Sequence, residues 1–316
     1  FLSPSETREF IVASDLRGWL AVGTSWAVIA AAMGAFIYWP SFGVGAIALV
    51  LIGGRQLGLA ILMHDCAHRS LFATRWLNDW VGRWLCAVPL WHDLARYRVH
   101  HLKHHRDAGT PQDPDLDLVT AYPVSGSSFF RKCARDLTGI TGVKRLYGHW
   151  LMDLGKIEYT VSGLIITVPD EDQPGRSIVL ARLLPFFIVQ LMALSASLLS
   201  GHVEAWLLWW AAYLTTLSLF IRVRSIAEHA VTDLGSNSWR NTRTTHANWM
   251  ARLTVAPHRV NYHLEHHLLM TVPYFRLPSL HALLRSRDAF RKTEAKVSGG
   301  YGEVLHAAIR SNELSL

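Results

Sequence analysis

The chain has 316 residues, half of them apolar and only 17% charged, against about 25% charged in ordinary soluble proteins. Its net charge of +7 is spread between apolar stretches, not gathered into a basic patch with stacking aromatics, which excludes a nucleic-acid partner. Three cysteines, Cys66, Cys86 and Cys133, form no Cys-x-x-Cys pair; a fused rubredoxin-like iron site, a zinc ribbon and a disulfide framework are excluded, and a reducing compartment is expected.

Residues 1–16 mix acidic, basic and polar side chains and do not resemble a signal peptide; with Phe1 in first place, the chain is expected to be processed or trimmed. Two apolar stretches follow, Gly18 to Trp39 and Phe42 to Met63, parted only by Pro40 and Ser41. Two more run from Ile178 to Ser200 and from Val203 to Ile221, parted by little more than Gly201 and His202. Each approaches the ~20 residues that a helix needs to cross ~30 Å of hydrocarbon. The expectation is an all-α integral membrane protein, 1–316 as a single domain, with four transmembrane helices (about 18–39, 42–63, 178–200 and 203–221) in two tight hairpins. Of the 31 Lys and Arg, two precede the first span, 14 lie between Met63 and the third span and 13 follow Ile221, with none at either hairpin tip. The positive-inside rule therefore puts both termini and the segments 64–177 and 222–316 in the cytoplasm. Arg55 is a charge inside the second span; either the helix projects past the bilayer or the guanidinium lines a polar tunnel.

Between the hairpins, Trp76, Trp80 and Trp84 recur every four residues, an aromatic stripe suited to a helix in the membrane interface, or to a core stripe. Gly109 to Asp115 is a loop, because Pro111 and Pro114 prevent a continuing helix. Residues 285–316 read as a polar helix and tail.

Three histidine clusters dominate the sequence: His64-Asp-Cys-Ala-His68, His101-Leu-Lys-His104-His105 and His263-Leu-Glu-His266-His267. On a helix, residues at i, i+3 and i+4 share a face, so each cluster aims two or three imidazoles one way. Eight histidines exceed what one four-coordinate zinc uses, so two metal ions are the economical reading. Imidazole suits Fe, Cu, Zn or Ni alike, which leaves the metal open.

The order HxxxH, HxxHH, HxxHH resembles the membrane fatty acid desaturases over roughly residues 17–285, and most closely their bacterial acyl-lipid members. The flanks share the resemblance: His64-Asp-Cys-Ala-His-Arg-Ser-Leu-Phe72, Gly109-Thr-Pro-Gln-Asp-Pro-Asp115, and Tyr262-His-Leu-Glu-His-His-Leu268 followed by Val272-Pro273 and Leu277-Pro278. The resemblance implies two irons, with dioxygen as co-substrate, held in a cytoplasmic helical cap by the box histidines and one more just after the fourth span, where His229 stands. The implied ligands are His64, His68, His101, His104, His105, His229, His263, His266 and His267. His100 falls outside the HxxHH register, and His92, His149, His202, His246, His258, His281 and His306 read as ordinary polar residues. Asp65, Asp113, Asp115, Glu228 and Glu265 are candidates to hydrogen-bond the outer nitrogens of the ligands.

Two departures stand out. Many relatives read Leu-Phe-Pro after the third box where this chain has Leu268-Leu269-Met270, and the third box opens with His263, unlike the Gln of the front-end desaturases. No His-Pro-Gly-Gly haem motif occurs, so the implied electron donor is a separate ferredoxin, rubredoxin or cytochrome b5, acting on a membrane lipid substrate, in a bacterial inner membrane. A hydroxylase or ketolase of a lipid or other hydrophobic substrate would share the same boxes, and a metal transporter is a more distant alternative. Transporters, however, place ligands near the bilayer midplane, and here each cluster lies at or beyond a helix end. No His-Glu-x-x-His occurs, which disfavours a zinc protease.

Overall fold

The computed structural model describes residues 1–310 of the chain. In chain order its main elements are α1 (Pro4–Phe10), α2 (Asp15–Tyr38), α3 (Phe42–Ala67), α4 (Arg75–Val81), α5 (Leu94–Asp107), β1 (Val124–Ser125), α6 (Gly126–Leu137), α7 (Ile140–Asp153), α8 (Arg176–Leu199), α9 (Val203–Leu214), α10 (Thr216–His229), β2 (Arg243–Thr245), α11 (His263–Leu268), α12 (Leu277–Ser286), β3 (Lys296–Ser298), α13 (Tyr301–Ala308) and β4 (Ile309–Arg310). The fold is mostly helical, and the strands are two short parallel pairs, β1 with β4 and β2 with β3.

Four helical stretches are long and apolar enough to cross a membrane: α2, α3, α8, and α9 continued by α10. Side-chain caps start the first two, with Ser14 accepting from Arg17 N–H and Ser41 from Val44 N–H. The fourth stretch is longer than its apolar composition predicts. It breaks at Thr215 (φ −107°, ψ −85°) and then runs on past Ile221 to His229. Thr216 next to the break donates its hydroxyl to Leu49 O at 2.7 Å, tying the kink to α3.

Helix α3 is the most buried of the four and α8 the least. The core is built around α3, packed by α2, α9 and α10, with Ile52, Leu57, Leu59 and Leu62 wholly enclosed. Small residues on α3 let backbone approach closely: a Cβ on Gly54 would meet Leu253 O at 2.2 Å. The neighbouring Arg55 then explains its own presence in an apolar helix. Its Nη2 donates to the carbonyls of Arg252 and Leu253, each at 2.8 Å, and so caps the short helix Trp249–Leu253 lying against α3.

Trp76 and Trp80 are exposed on α4, while Trp84 falls in the π-helical turn Gly82–Ala87 and is half-buried. Beyond Arg285 the chain is more than a polar helix and tail. Strand β3 pairs with β2, and α13 buries Val304 and Ala308 against Ile226, Ala227 and Ala230. The final stretch of the expected tail, 311–316, lies outside the described residues.

Candidate metal centre

The nine histidines come from four segments. His64 sits on the last turn of α3 and His68 is its C-cap; His101, His104 and His105 lie on α5; His229 closes α10; His263, His266 and His267 lie on α11. Helical spacing turns each set to one side, and the packing of α3 against α5, together with α11 on β2, brings the sets together.

They gather in two groups. His64, His68, His101, His105 and His266 form one, His104, His229, His263 and His267 the other, with the coordinating nitrogens of each group within 4.8 Å of one another. The groups adjoin: the His105 and His267 rings stack with centroids 4.2 Å apart. Ring nitrogens face each other directly, at 3.1 Å for His101 and His105, 3.0 Å for His105 and His266, and 2.8 Å for His229 and His263.

Outer hydrogen bonds fix several rings. His64 donates Nδ1–H to Asp65 at 2.9 Å, His104 to Asp113 at 2.8 Å, and His229 to the carbonyl of Asn241 at 3.1 Å. Each bond puts the proton on Nδ1 and leaves the Nε2 lone pair pointing inward. The Asp113 carboxylate is held in turn by the backbone N–H groups of Asp115 and Gly109. Burial pushes its carboxyl upward, but the His104 bond and these amides outweigh that and hold it below the usual range.

Buried ring nitrogens without partners test whether a metal fits. Nε2 of His64, both nitrogens of His68 and of His267, and Nδ1 of His263 are buried with no hydrogen bond among the described residues. Each such atom costs about 1–3 kcal/mol if nothing satisfies it. A cation in each group would satisfy Nε2 of His64 and one nitrogen each of His68 and His267. The protonation state agrees: burial pulls His68 down to about 3, and pulls His101, His105, His263, His266 and His267 well below the ordinary imidazole range. Neutral imidazole is the metal-binding form. His104 alone shifts upward, because the bond to Asp113 and the nearby carboxylates outweigh its burial. Five nitrogens in one group and four in the other are more than a single closed zinc site uses.

The remaining acidic residues sort differently. Asp115 accepts from His100 Nε2 at 2.9 Å and lies 3.8 Å from His104 Nδ1. His100 is thus engaged outside both groups. Glu228 accepts from Arg224 at 2.7 Å and stands 3.6 Å from His263 Nδ1. Glu265 is a correction: its carboxylate reaches none of the nine, accepting instead from Thr244 and, at 2.5 Å, from His281 Nδ1.

Four supporting residues lie outside the set expected from sequence, and three of them, Asn241, Arg243 and Thr244, carry no obvious sequence signal. Asn241 orients His229 and ties the loop to α5 by donating to Ala108 O at 2.7 Å. Arg243 donates to the carbonyls of Ala230 at 2.8 Å and Val231 at 3.1 Å, fixing the end of α10. Thr244 and His281 hold Glu265; His281 reads from sequence as an ordinary polar residue, and the signal that marks it is its helical spacing with the buried Leu277, Leu280 and Leu284.

Comparison with known proteins decides the family. The fatty acid desaturase family profile matches residues 39–295. This chain belongs to the fatty acid desaturase family. It is 27% identical to dihydrorhizobitoxine desaturase of Bradyrhizobium elkanii, across 90% of this chain and 80% of the relative. It is 23% identical to the sn-1 oleoyl-lipid 12-desaturase of Anabaena variabilis (84% and 71%) and 25% to the chloroplastic omega-6 fatty acid desaturase of Glycine max (88% and 65%). Family membership makes it an oxidoreductase, and with four helices apolar enough to span a bilayer it is a membrane protein.

Proposed function

We propose that this protein introduces a carbon–carbon double bond into a lipid acyl chain, using dioxygen, two histidine-bound irons and electrons from a separate protein. The observation that carries this reading is the convergence of nine histidines from four segments on two adjoining points.

His64, His68, His101, His105 and His266 would hold one iron, and His104, His229, His263 and His267 the other. When bound, the irons supply the dioxygen chemistry that breaks an unactivated C–H bond, which side-chain acid–base or nucleophilic chemistry cannot do. The reaction balances with one dioxygen, two electrons and two protons: two hydrogens leave adjacent carbons and two waters form. The chain's own residues orient the ligands and keep water out. Asp65, Asp113 and the Asn241 carbonyl hold the Nδ1 protons of three of them. Glu228, 3.6 Å from His263 Nδ1, and Asp115, 3.8 Å from His104 Nδ1, bear on the second group.

In this reading residues 1–316 work as one unit in a bacterial inner membrane, with the spans paired as two hairpins. Both termini, the segments 64–177 and 222–316 and the metal centre are cytoplasmic, which the placement of Lys and Arg supports. The electrons come from a ferredoxin, rubredoxin or cytochrome b5 type of donor.

Expression in a bacterial host, with mass spectrometry of the hydrolysed lipids, tests the reaction. A new unsaturated acyl chain that the His266→Ala, His267→Ala double variant does not make is the expected result. A hydroxylated or keto product would overturn desaturation. No altered lipid at all would favour the second reading, a non-acyl substrate, to which the likeness to the dihydrorhizobitoxine desaturase points.

A further inference from the structure

A cavity of about 370 Å³ lies between the turn before α5, the end of α7 and the first turns of α8. None of the nine histidines lines it. Its wall includes Trp91, stacked on Phe186 with ring centroids 4.1 Å apart, and two imidazoles read from sequence as ordinary polar residues. His92 meets the Tyr159 hydroxyl at 3.2 Å. His149 is only 4% exposed, yet its Nε2 has no partner among the described residues, a state folded proteins rarely leave unfilled.

The charges around the cavity are unevenly matched. Of the acids, Asp79 is engaged by Arg98 at 2.6 Å, Asp153 by Arg96 at 2.9 Å, and Asp93 caps α5 through the N–H groups of Ala95 and Arg96. Arg83 and Arg182 line the cavity without a carboxylate partner among the described residues. Two unmatched guanidiniums beside imidazole and phenol donors suit an oxyanion.

Location identifies the source of that anion. Arg182 and Phe186 belong to α8, the least buried of the four long apolar helices. Asp79 lies on α4 and Arg83 in the turn that follows it; on α4, Trp76 and Trp80 stand exposed as tryptophans do at a lipid–water boundary. The volume equals about a dozen waters at ~30 Å³ each, room for a head group but not for a long chain. The wall also leads inward: Arg98 donates to the Ala67 carbonyl beside His68, and His101 is the next turn of α5.

We propose that this cavity seats the anionic head group, phosphate or carboxylate, of the amphiphile whose chain is oxidised at the histidine centre. The fate of the chain rests on the desaturase reading; the head-group site does not. Calorimetric titration of the metal-loaded protein in dodecyl maltoside compares dodecyl phosphate, dodecyltrimethylammonium and inorganic phosphate, so that the alkyl chain is matched by the detergent. Dodecyl phosphate is expected to bind, and Arg182→Gln and His149→Phe each to weaken it at least tenfold with metal content unchanged; Arg131→Gln, an exposed arginine away from the cavity, leaves it intact. If either variant misfolds, Arg83→Gln at the exposed mouth carries the same expectation. Equal binding of the ammonium amphiphile, or affinity untouched by the cavity variants, overturns the site. Inorganic phosphate binding as tightly as dodecyl phosphate overturns the lipid source in favour of a free phosphate. Head-group binding without any unsaturated product would sink the desaturase reading alone.

Discussion

The Nδ1–H of His104 donates to Asp113 at 2.8 Å, across a loop whose own amides hold that carboxylate in place. This bond fixes which nitrogen of His104 faces the second histidine group. Losing such an outer-shell partner costs about 10–100-fold in metal affinity. Asp113→Ala is therefore expected to lower the affinity of that group by this factor in chelator competition. Asp113→Asn, whose amide oxygen still accepts, falls between the variant and the parent.

His100 and His104 give a sharper contrast. They are one helical turn apart on α5, but His100 spends its Nε2 on Asp115 while His104 joins a metal-holding group. His100→Ala is expected to keep the full metal content, and His104→Ala to lose about half of it. Metal analysis of the two purified variants checks this, and equal losses would contradict the assignment.

The long apolar runs and the three boxes were legible because each is a local pattern: twenty apolar residues, or imidazoles at i, i+3 and i+4. His229 was found only through resemblance, since a single histidine after a span has no periodic partner. Asn241, Arg243 and Thr244 were not legible, because their roles arise where distant segments meet. Glu265 misled for the same reason. Its place between two ligands suggested that it serves them, but α11 turns it toward His281 on α12. The kink at Thr215 has no proline or glycine to mark it, and the apolar stretch resumes at Leu217 after Thr215 and Thr216.

Arg55 predicts a stability effect. Arg55→Met leaves the carbonyls of Arg252 and Leu253 without their donor, at a cost of about 1–3 kcal/mol. Gly54→Ala pushes a methyl against Leu253 O, where it would stand at 2.2 Å, with a cost of similar size from overpacking. Both are expected to lower the thermal midpoint in detergent. Since they act on the same contact between α3 and the Trp249–Leu253 turn, the double variant is expected to fall short of the sum.

The Glu265 and His281 pair predicts coupling of another kind. Glu265 is wholly buried, and His281→Leu leaves it only Thr244. A loss of about 1–3 kcal/mol is expected, read from denaturant unfolding. Adding Glu265→Gln removes the buried charge and is expected to recover part of that loss.

Whether the nine histidines hold two irons is read from the metal content of the protein. Mass spectrometry of the detergent-purified protein, beside the His266→Ala, His267→Ala variant, reads it without needing a substrate. The prediction is two irons per chain in the parent and loss of both occupancies in the variant, because His266 and His267 belong one to each group. A single zinc per chain, or metal unchanged by the substitutions, would contradict it.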